Sequence, residues 1–226
     1  MNGVTPEFWQ IVGLSLRVGL AATLFVLPVA TVMAYVLARK RFPGWHFLNA
    51  VCHLPLVMPP VITGYLLLVA LGPSSPLAGY LATMGISFGF NWLGAALAAA
   101  VMAFPLVMRP IRLAFEMQDE TLLDSAKTLG ANRWQGFVTI SLPLALPGIA
   151  AGTALGFAKA LGEFGATITF VSNIPGETQT LALAIYSFLQ SPTGDEAALI
   201  LVITGVTISF AAILFSELLV RKHFSK

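Results

Sequence analysis

Charge is what this chain has least of. Twelve Lys and Arg with ten Asp and Glu make up 10% of its 226 residues, while 57% are hydrophobic. A water-soluble domain of that length cannot cover so much apolar surface, and the mean hydropathy of +0.85 points the same way. The net charge of only +2 gives no electrostatic reason for a nucleic-acid partner. Its one cysteine, Cys52, forbids an internal disulfide and is silent on redox compartment. A Gly-rich loop ending in Gly-Lys-Ser/Thr is missing, so the chain cannot cradle nucleotide phosphates; if it does work, the energy comes from another subunit. His46, Cys52 and His53 have no carboxylate or further thiol beside them, which argues against a metal site. No Ser/His/Asp or Cys/His arrangement suggests hydrolysis.

What is present is a series of apolar runs long enough to cross a bilayer. Phe8 to Ala38, interrupted by Arg17 and Pro28, exceeds the roughly 20 residues a span requires and predicts a tilted or kinked first helix. Glu7 precedes the run and Arg39-Lys40-Arg41 follows it, the reverse of a cleavable signal peptide. Further spans are expected at Leu54 to Leu71, Trp92 to Met108, Gly148 to Val171 and Ala197 to Val220, with Asp195 and Glu196 favouring the start of the last. Alanines crowd the third of these five, and Gly148, Gly152 and Gly156 line the fourth at the spacing that lets two helices approach closely. Tyr80 to Phe90 has room for a short interfacial helix, and Leu181 to Leu189 is too short to cross and reads as re-entrant or interfacial. Trp9 and Trp45 are placed for the two interfaces. His53 to Gly64 echoes Ser141 to Gly152 in its Leu, Pro and Gly positions; Leu-Pro starts to membrane helices are common enough to explain this without duplication.

Basic residues test this five-span arrangement. Arg39, Lys40, Arg41, Arg109, Arg112, Lys127, Arg133, Arg221, Lys222 and Lys226 all fall on one side, leaving only Arg17 and Lys159 inside spans. The positive-inside rule then places the N-terminus outside and the C-terminus inside. An ionisable group at mid-membrane costs about 2.5 to 3.5 kcal/mol on insertion scales. Arg17 is expected to snorkel to the outer interface or to pair with another helix. Lys159 and Glu163, one helical turn apart, either pair with each other or line a water-filled route.

The most informative stretch is polar. Between the third and fourth spans, Asp119 is placed to cap a short helix that Gly130 closes in the left-handed conformation. Leu122, Leu123, Ala126 and Leu129 are expected on one face, with Glu120, Asp124 and Lys127 on the wetter one. Such a helix needs a lipid surface or a partner protein to receive its apolar face.

Asp124-Ser125-Ala126, then Gly130, then Ile140-x-Leu142-Pro143 resembles the EAA loop of ABC importer permeases, with Asp and Ser standing where the family pattern begins Glu-Ala. Ala160-Leu161-Gly162-Glu163-Phe164-Gly165-Ala166-Thr167, with Ser172 to Gly176 and Thr178 to Leu181, is similar to the oxyanion branch of those permeases, most of all to the molybdate permeases. The resemblance implies an all-α integral membrane protein with type I ABC importer permease architecture. It would be a single transmembrane domain over 1–226 in the bacterial inner membrane, with a cytoplasmic coupling loop at about 113–147. It implies a homodimer, two cytoplasmic ATPases that carry ATP and Mg, and an extracytoplasmic binding protein. This chain would then be a transport subunit, not an enzyme, moving molybdate or tungstate by alternating access. The ATPase-coupling residues would be Asp124, Ser125, Ala126, Gly130, Ile140, Leu142 and Pro143, and the candidates for the translocation path Lys159, Glu163, Thr167 and Asn173. Sulfate or thiosulfate is the alternative substrate. A secondary transporter or channel is the reading from another class, and would call for more ion-coupling groups than Arg17, Lys159 and Glu163.

Overall fold

The computed structural model describes residues 6–224, without the side chains of Glu120 and of residues 219–224. Lys226 therefore lies outside the described residues, as do the side chains of Glu120, Arg221 and Lys222. Every regular element among the described residues is helical. Helix α1 (Pro6–Arg39) is followed by α2 (Trp45–Val57), α3 (Pro60–Leu71), α4 (Pro76–Thr83) and α5 (Trp92–Glu116). Next come α6 (Glu120–Thr128), α7 (Arg133–Gly136) and a π-helical turn (Phe137–Ser141) leading into α8 (Leu142–Leu161). The chain ends with α9 (Gly165–Val171), α10 (Leu181–Leu189) and α11 (Asp195–Phe224). Four helical segments are long and apolar enough to span a bilayer: α1, α5, the rod from Arg133 to Leu161, and α11. The bent pair α2–α3 makes a fifth if counted as one span.

The core forms where α1, α5 and α8 meet. Ala22, Ala30 and Ala34 of α1 are fully buried, as are Ala95, Ala98, Ala99 and Ala103 of α5. Small side chains let the helix backbones approach where lipid supplies no hydrophobic drive to bring them together. The glycine stripe of α8 fits against α5 as its spacing predicts. A Cβ on Gly152 would lie 2.6 Å from the Val107 carbonyl oxygen, and one on Gly156 would lie 2.3 Å from Val107 Cγ2. In contrast, α11 shows an apolar surface, with Leu199, Ile203, Val206 and Phe210 all more than half exposed. That is the surface expected of a helix facing lipid or another subunit.

Two expected spans change shape. The second is not one helix from Leu54 to Leu71: α2 already begins at Trp45, runs through Pro55, and meets α3 at a bend of 111°. Two adjacent prolines cause the break. Pro60 disfavours helical geometry at Pro59, and Pro59 does the same to Met58; both are extended, with ψ of 131° and 144°. The echo segment, Ser141 to Gly152, has Gly148 where the first has Pro60, and its helix continues through Pro147. The likeness between the two segments thus does not carry into conformation. The fourth span is shifted towards the N-terminus, starting at Arg133 and ending at Leu161 rather than running from Gly148 to Val171. It stops at Gly162, and Glu163 lies in the break before α9.

Other expectations survive with adjustments. Leu181–Leu189 is a helix with those bounds, and the short helix expected within Tyr80 to Phe90 lies earlier, at Pro76–Thr83. Arg17 pairs with another helix, its guanidinium 3.7 Å from the centre of the Trp92 ring on α5. Trp45 does not present its ring outward. It is buried, its Nε1 donates to the Leu37 carbonyl at 3.1 Å, and Arg41 stacks over its face at 4.2 Å.

Candidate functional site

The polar stretch folds as its punctuation dictates. Asp119 Oδ1 accepts from the Thr121 N–H at 2.9 Å at the start of α6, and this backbone bond holds the Asp119 carboxyl below the usual carboxylate range. At the other end Gly130 has φ of +89°, a conformation that costs a side chain about 1 to 2 kcal/mol. Gly130 N–H donates to the Lys127 carbonyl and Ala131 N–H to the Ala126 carbonyl, both at 3.0 Å. This paired closure satisfies carbonyls that the last turn would otherwise leave open. Ala126 and Gly130 of the loop pattern therefore have a backbone role in stopping the helix. Asp124 pairs with Lys127 at 2.7 Å on the exposed side, and the Ser125 carbonyl accepts from Thr128 Oγ1 at 2.7 Å.

The apolar stripe of α6 does not stay on one face. Leu123 and Ala126 are half-buried, Leu123 packing towards Gly136, while Leu122 is 47% and Leu129 is 88% exposed. Trp134, 71% exposed, adds to the outward apolar surface. The reason is the turn at Gly130, which folds α7 back onto only half of the stripe. Behind α6 lies a cavity of about 320 Å³ lined by Tyr35, Arg39, Lys40, Lys127 and Arg133.

The anchoring of this loop to the spans was not anticipated. Gln118 accepts from Arg39 Nη2 at 3.1 Å and donates from Nε2 to the Ser141 carbonyl at 2.8 Å, tying the end of α1 to the π-helical turn. Tyr35, Phe115 and Phe137 add an aromatic cluster, with Tyr35 edge-on to Phe115 at 5.3 Å and to Phe137 at 4.7 Å. Ile140 lies in the π-helical turn, and Leu142 and Pro143 open α8. A further helix start went unread in the sequence: Asn132 and Gln135 form a reciprocal capping box, at 2.8 and 2.9 Å, that launches the rod. Asn followed three residues later by Gln is its visible signal.

The second group of candidates separates. Lys159 Nζ donates to Glu163 Oε2, and the other carboxylate oxygen accepts from the Ala166 N–H at 3.0 Å in the first turn of α9. Glu163 is 2% exposed, so this pair bridges the gap between α8 and α9 from within the protein. Thr167, the residue after Ala166 on α9, is also buried. Asn173 is not part of that group: its Nδ2 donates to Ser187 Oγ at 2.6 Å on α10, and Thr178 Oγ1 closes the same loop by donating to the Ser172 carbonyl at 3.0 Å.

The family model for the binding-protein-dependent transport system inner membrane component matches residues 18–224. The chain is 52% identical over 219 residues to the molybdenum transport system permease protein ModB of Escherichia coli, covering 96% of each. It is 52% identical to the ModB of Haemophilus influenzae, covering 95% of this chain and 94% of that one. To the sulfate transport system permease protein CysT of Escherichia coli it is 30% identical, covering 91% of this chain and 78% of that one. Among solved structures, a bacterial ABC transporter involved in alginate import superposes with a TM-score of 0.75 over 99% of this chain and 82% of that chain at 18% identity, a likeness of fold. The chain belongs to the family of inner-membrane permease components of binding-protein-dependent transport systems.

Proposed function

We propose that this chain is the permease subunit of an ATP-driven importer that carries molybdate, and by the same chemistry tungstate, into the cytoplasm. One observation carries the substrate: identity with the molybdenum permeases of two organisms is 52% across nearly the full length, against 30% with the sulfate permease. The basic residues at the ends of α1 and α5 and around α6 make that side cytoplasmic. There Leu122, Leu129 and Trp134 present the apolar face a partner ATPase would receive, and the partner would carry the nucleotide and its Mg.

Two permease subunits, two ATPases and an extracytoplasmic binding protein complete the assembly in this reading. Closure of the ATPases would draw the α6 helices together. Gln118 and the Tyr35–Phe115–Phe137 cluster would pass that movement to α1, α5 and α8 as rigid bodies, exchanging inward-open for outward-open states. Asp124, Ser125, Ala126, Gly130, Ile140, Leu142 and Pro143 belong to the coupling element. Lys159 and Glu163 hold the α8–α9 break beside the route, with Thr167 buried next to it.

The test is uptake of trace molybdate in cells with the chain deleted and restored, with and without excess sulfate. Restored uptake that sulfate leaves intact supports the assignment. Uptake indifferent to deletion, or abolished by sulfate, moves the substrate to another oxyanion.

A further inference from the structure

A second basic site lies away from the coupling helix. Between α2, α5 and α8 there is an open cavity of about 660 Å³ whose lining includes Asn49, His53, Arg109, Arg112, Glu116 and Leu155. Arg109 and Arg112 are one turn apart on α5 and face the same space. Arg112 is held in place: Nε donates to Glu116 Oε1 at 2.7 Å, Nη1 donates to Asn49 Oδ1 at 2.5 Å, and Trp45 lies 5.1 Å beneath its guanidinium. Its charge is balanced by Glu116. Arg109 is exposed to the cavity and has no carboxylate partner among the described residues. His53 Nδ1 donates to the Asn49 carbonyl at 2.8 Å, which fixes the ring on the cavity wall.

Depth matters as well as charge. At 1.5 Å per residue, Arg109 sits about 25 Å along α5 from Trp92, near the cytoplasmic rim of a hydrocarbon core about 30 Å thick. A guanidinium there offers a planar fork of donors matched to an oxyanion.

We propose that this cavity is a low-affinity oxyanion site on the cytoplasmic side, with Arg109 supplying the net charge and the free edge of Arg112 the second set of donors. Resting on the proposed function, it is the place where a tetrahedral dianion dwells before release. One net positive charge against a dianion holds the ion without trapping it. A phosphate-bearing lipid headgroup shares this chemistry, and the experiment separates the two sources.

The test uses the permease with its ATPase partner in lipid nanodiscs, with Leu113→Cys as a reporter in the cavity wall and Cys52→Ala to remove the native thiol. Leu113 is 56% exposed and lines the same cavity. Negatively and positively charged methanethiosulfonate reagents are compared. Removing one unit charge within a few ångströms should lower the anionic-to-cationic rate ratio roughly tenfold in Arg109→Gln. Arg109→Lys should keep that ratio. In zwitterionic discs molybdate should slow modification by the anionic reagent while chloride at equal ionic strength does not. An unchanged ratio in Arg109→Gln, or no protection beyond chloride, overturns the site. Protection by phosphatidylglycerol alone assigns the cavity to lipid and overturns the dwell site. Molybdate protection in a complex whose ATP-driven molybdate uptake fails supports the site and rejects the proposed transport.

Discussion

Replacing Glu163 by glutamine isolates the buried charge at the α8–α9 break. Glu163 is 2% exposed and both its oxygens are engaged, one by Lys159 and the other by the Ala166 N–H at 3.0 Å. In Glu163→Gln the side-chain carbonyl still caps α9, but an amide NH₂ now faces an ammonium. Removing one partner of a buried pair costs about 3 to 5 kcal/mol. The Lys159 side chain is 29% exposed and can turn towards water, which brings the expected loss down to roughly 2 to 3 kcal/mol. Adding Lys159→Met removes the stranded cation, and the double variant should recover most of that loss. Glu163→Ala also loses the cap and should lie about 1 kcal/mol below Glu163→Gln. Thermal unfolding of the purified permease in one lipid–detergent mixture, analysed as a double-mutant cycle, reads these differences. If Glu163→Gln is no less stable than wild type, or the double variant is no better than the single, the pair does not hold the break. Transport per folded molecule in the double variant then tells pairing from path-lining: a purely structural pair leaves it intact.

Three shorter predictions follow from the backbone. Gly156→Val drives a side chain into Val107 Cγ2 and should cost about 1 to 3 kcal/mol; Val107→Ala in the same chain should restore part of it, and equal melting of the single and double variants would refute the close approach. Gly130→Pro removes the N–H that donates to Lys127 and cannot adopt φ of +89°, so it should leave insertion intact but uncouple transport from ATP hydrolysis; normal substrate-stimulated ATPase activity would count against the coupling role. Pro59→Ala with Pro60→Ala should straighten the α2–α3 bend, moving spin labels at positions 47 and 69 from about 18 Å to about 33 Å apart at 1.5 Å per residue. An unchanged distance would show that packing of Gly64 against Ala166, rather than the prolines, holds the bend.

Much of the polar loop between α5 and α8 was legible because its signals are local. Asp119 and Gly130 act on backbone groups within four residues of themselves, so their roles follow from residue type and spacing. The same holds for the bounds of α10 and for the glycine face of α8. The sequence also carried the membrane class, the side on which positive charge collects and the family resemblance, since composition, charge order and motif spacing need no tertiary information. Tertiary structure decided which half of the α6 stripe turns inward, because α7 covers Leu123 and leaves Leu129 out. It decided that Arg17 stacks on Trp92 and that Trp45 is buried between Leu37 and two arginines, contacts between residues on different helices. It brought Lys159 and Glu163 into a pair and placed that pair at a helix break instead of mid-span. Hydropathy could not locate the break: Gly162 to Gly165 is as compatible with a continuing apolar run as with an interruption, and the buried carboxylate that bridges the gap is stable only once α8 and α9 have brought its two donors to it.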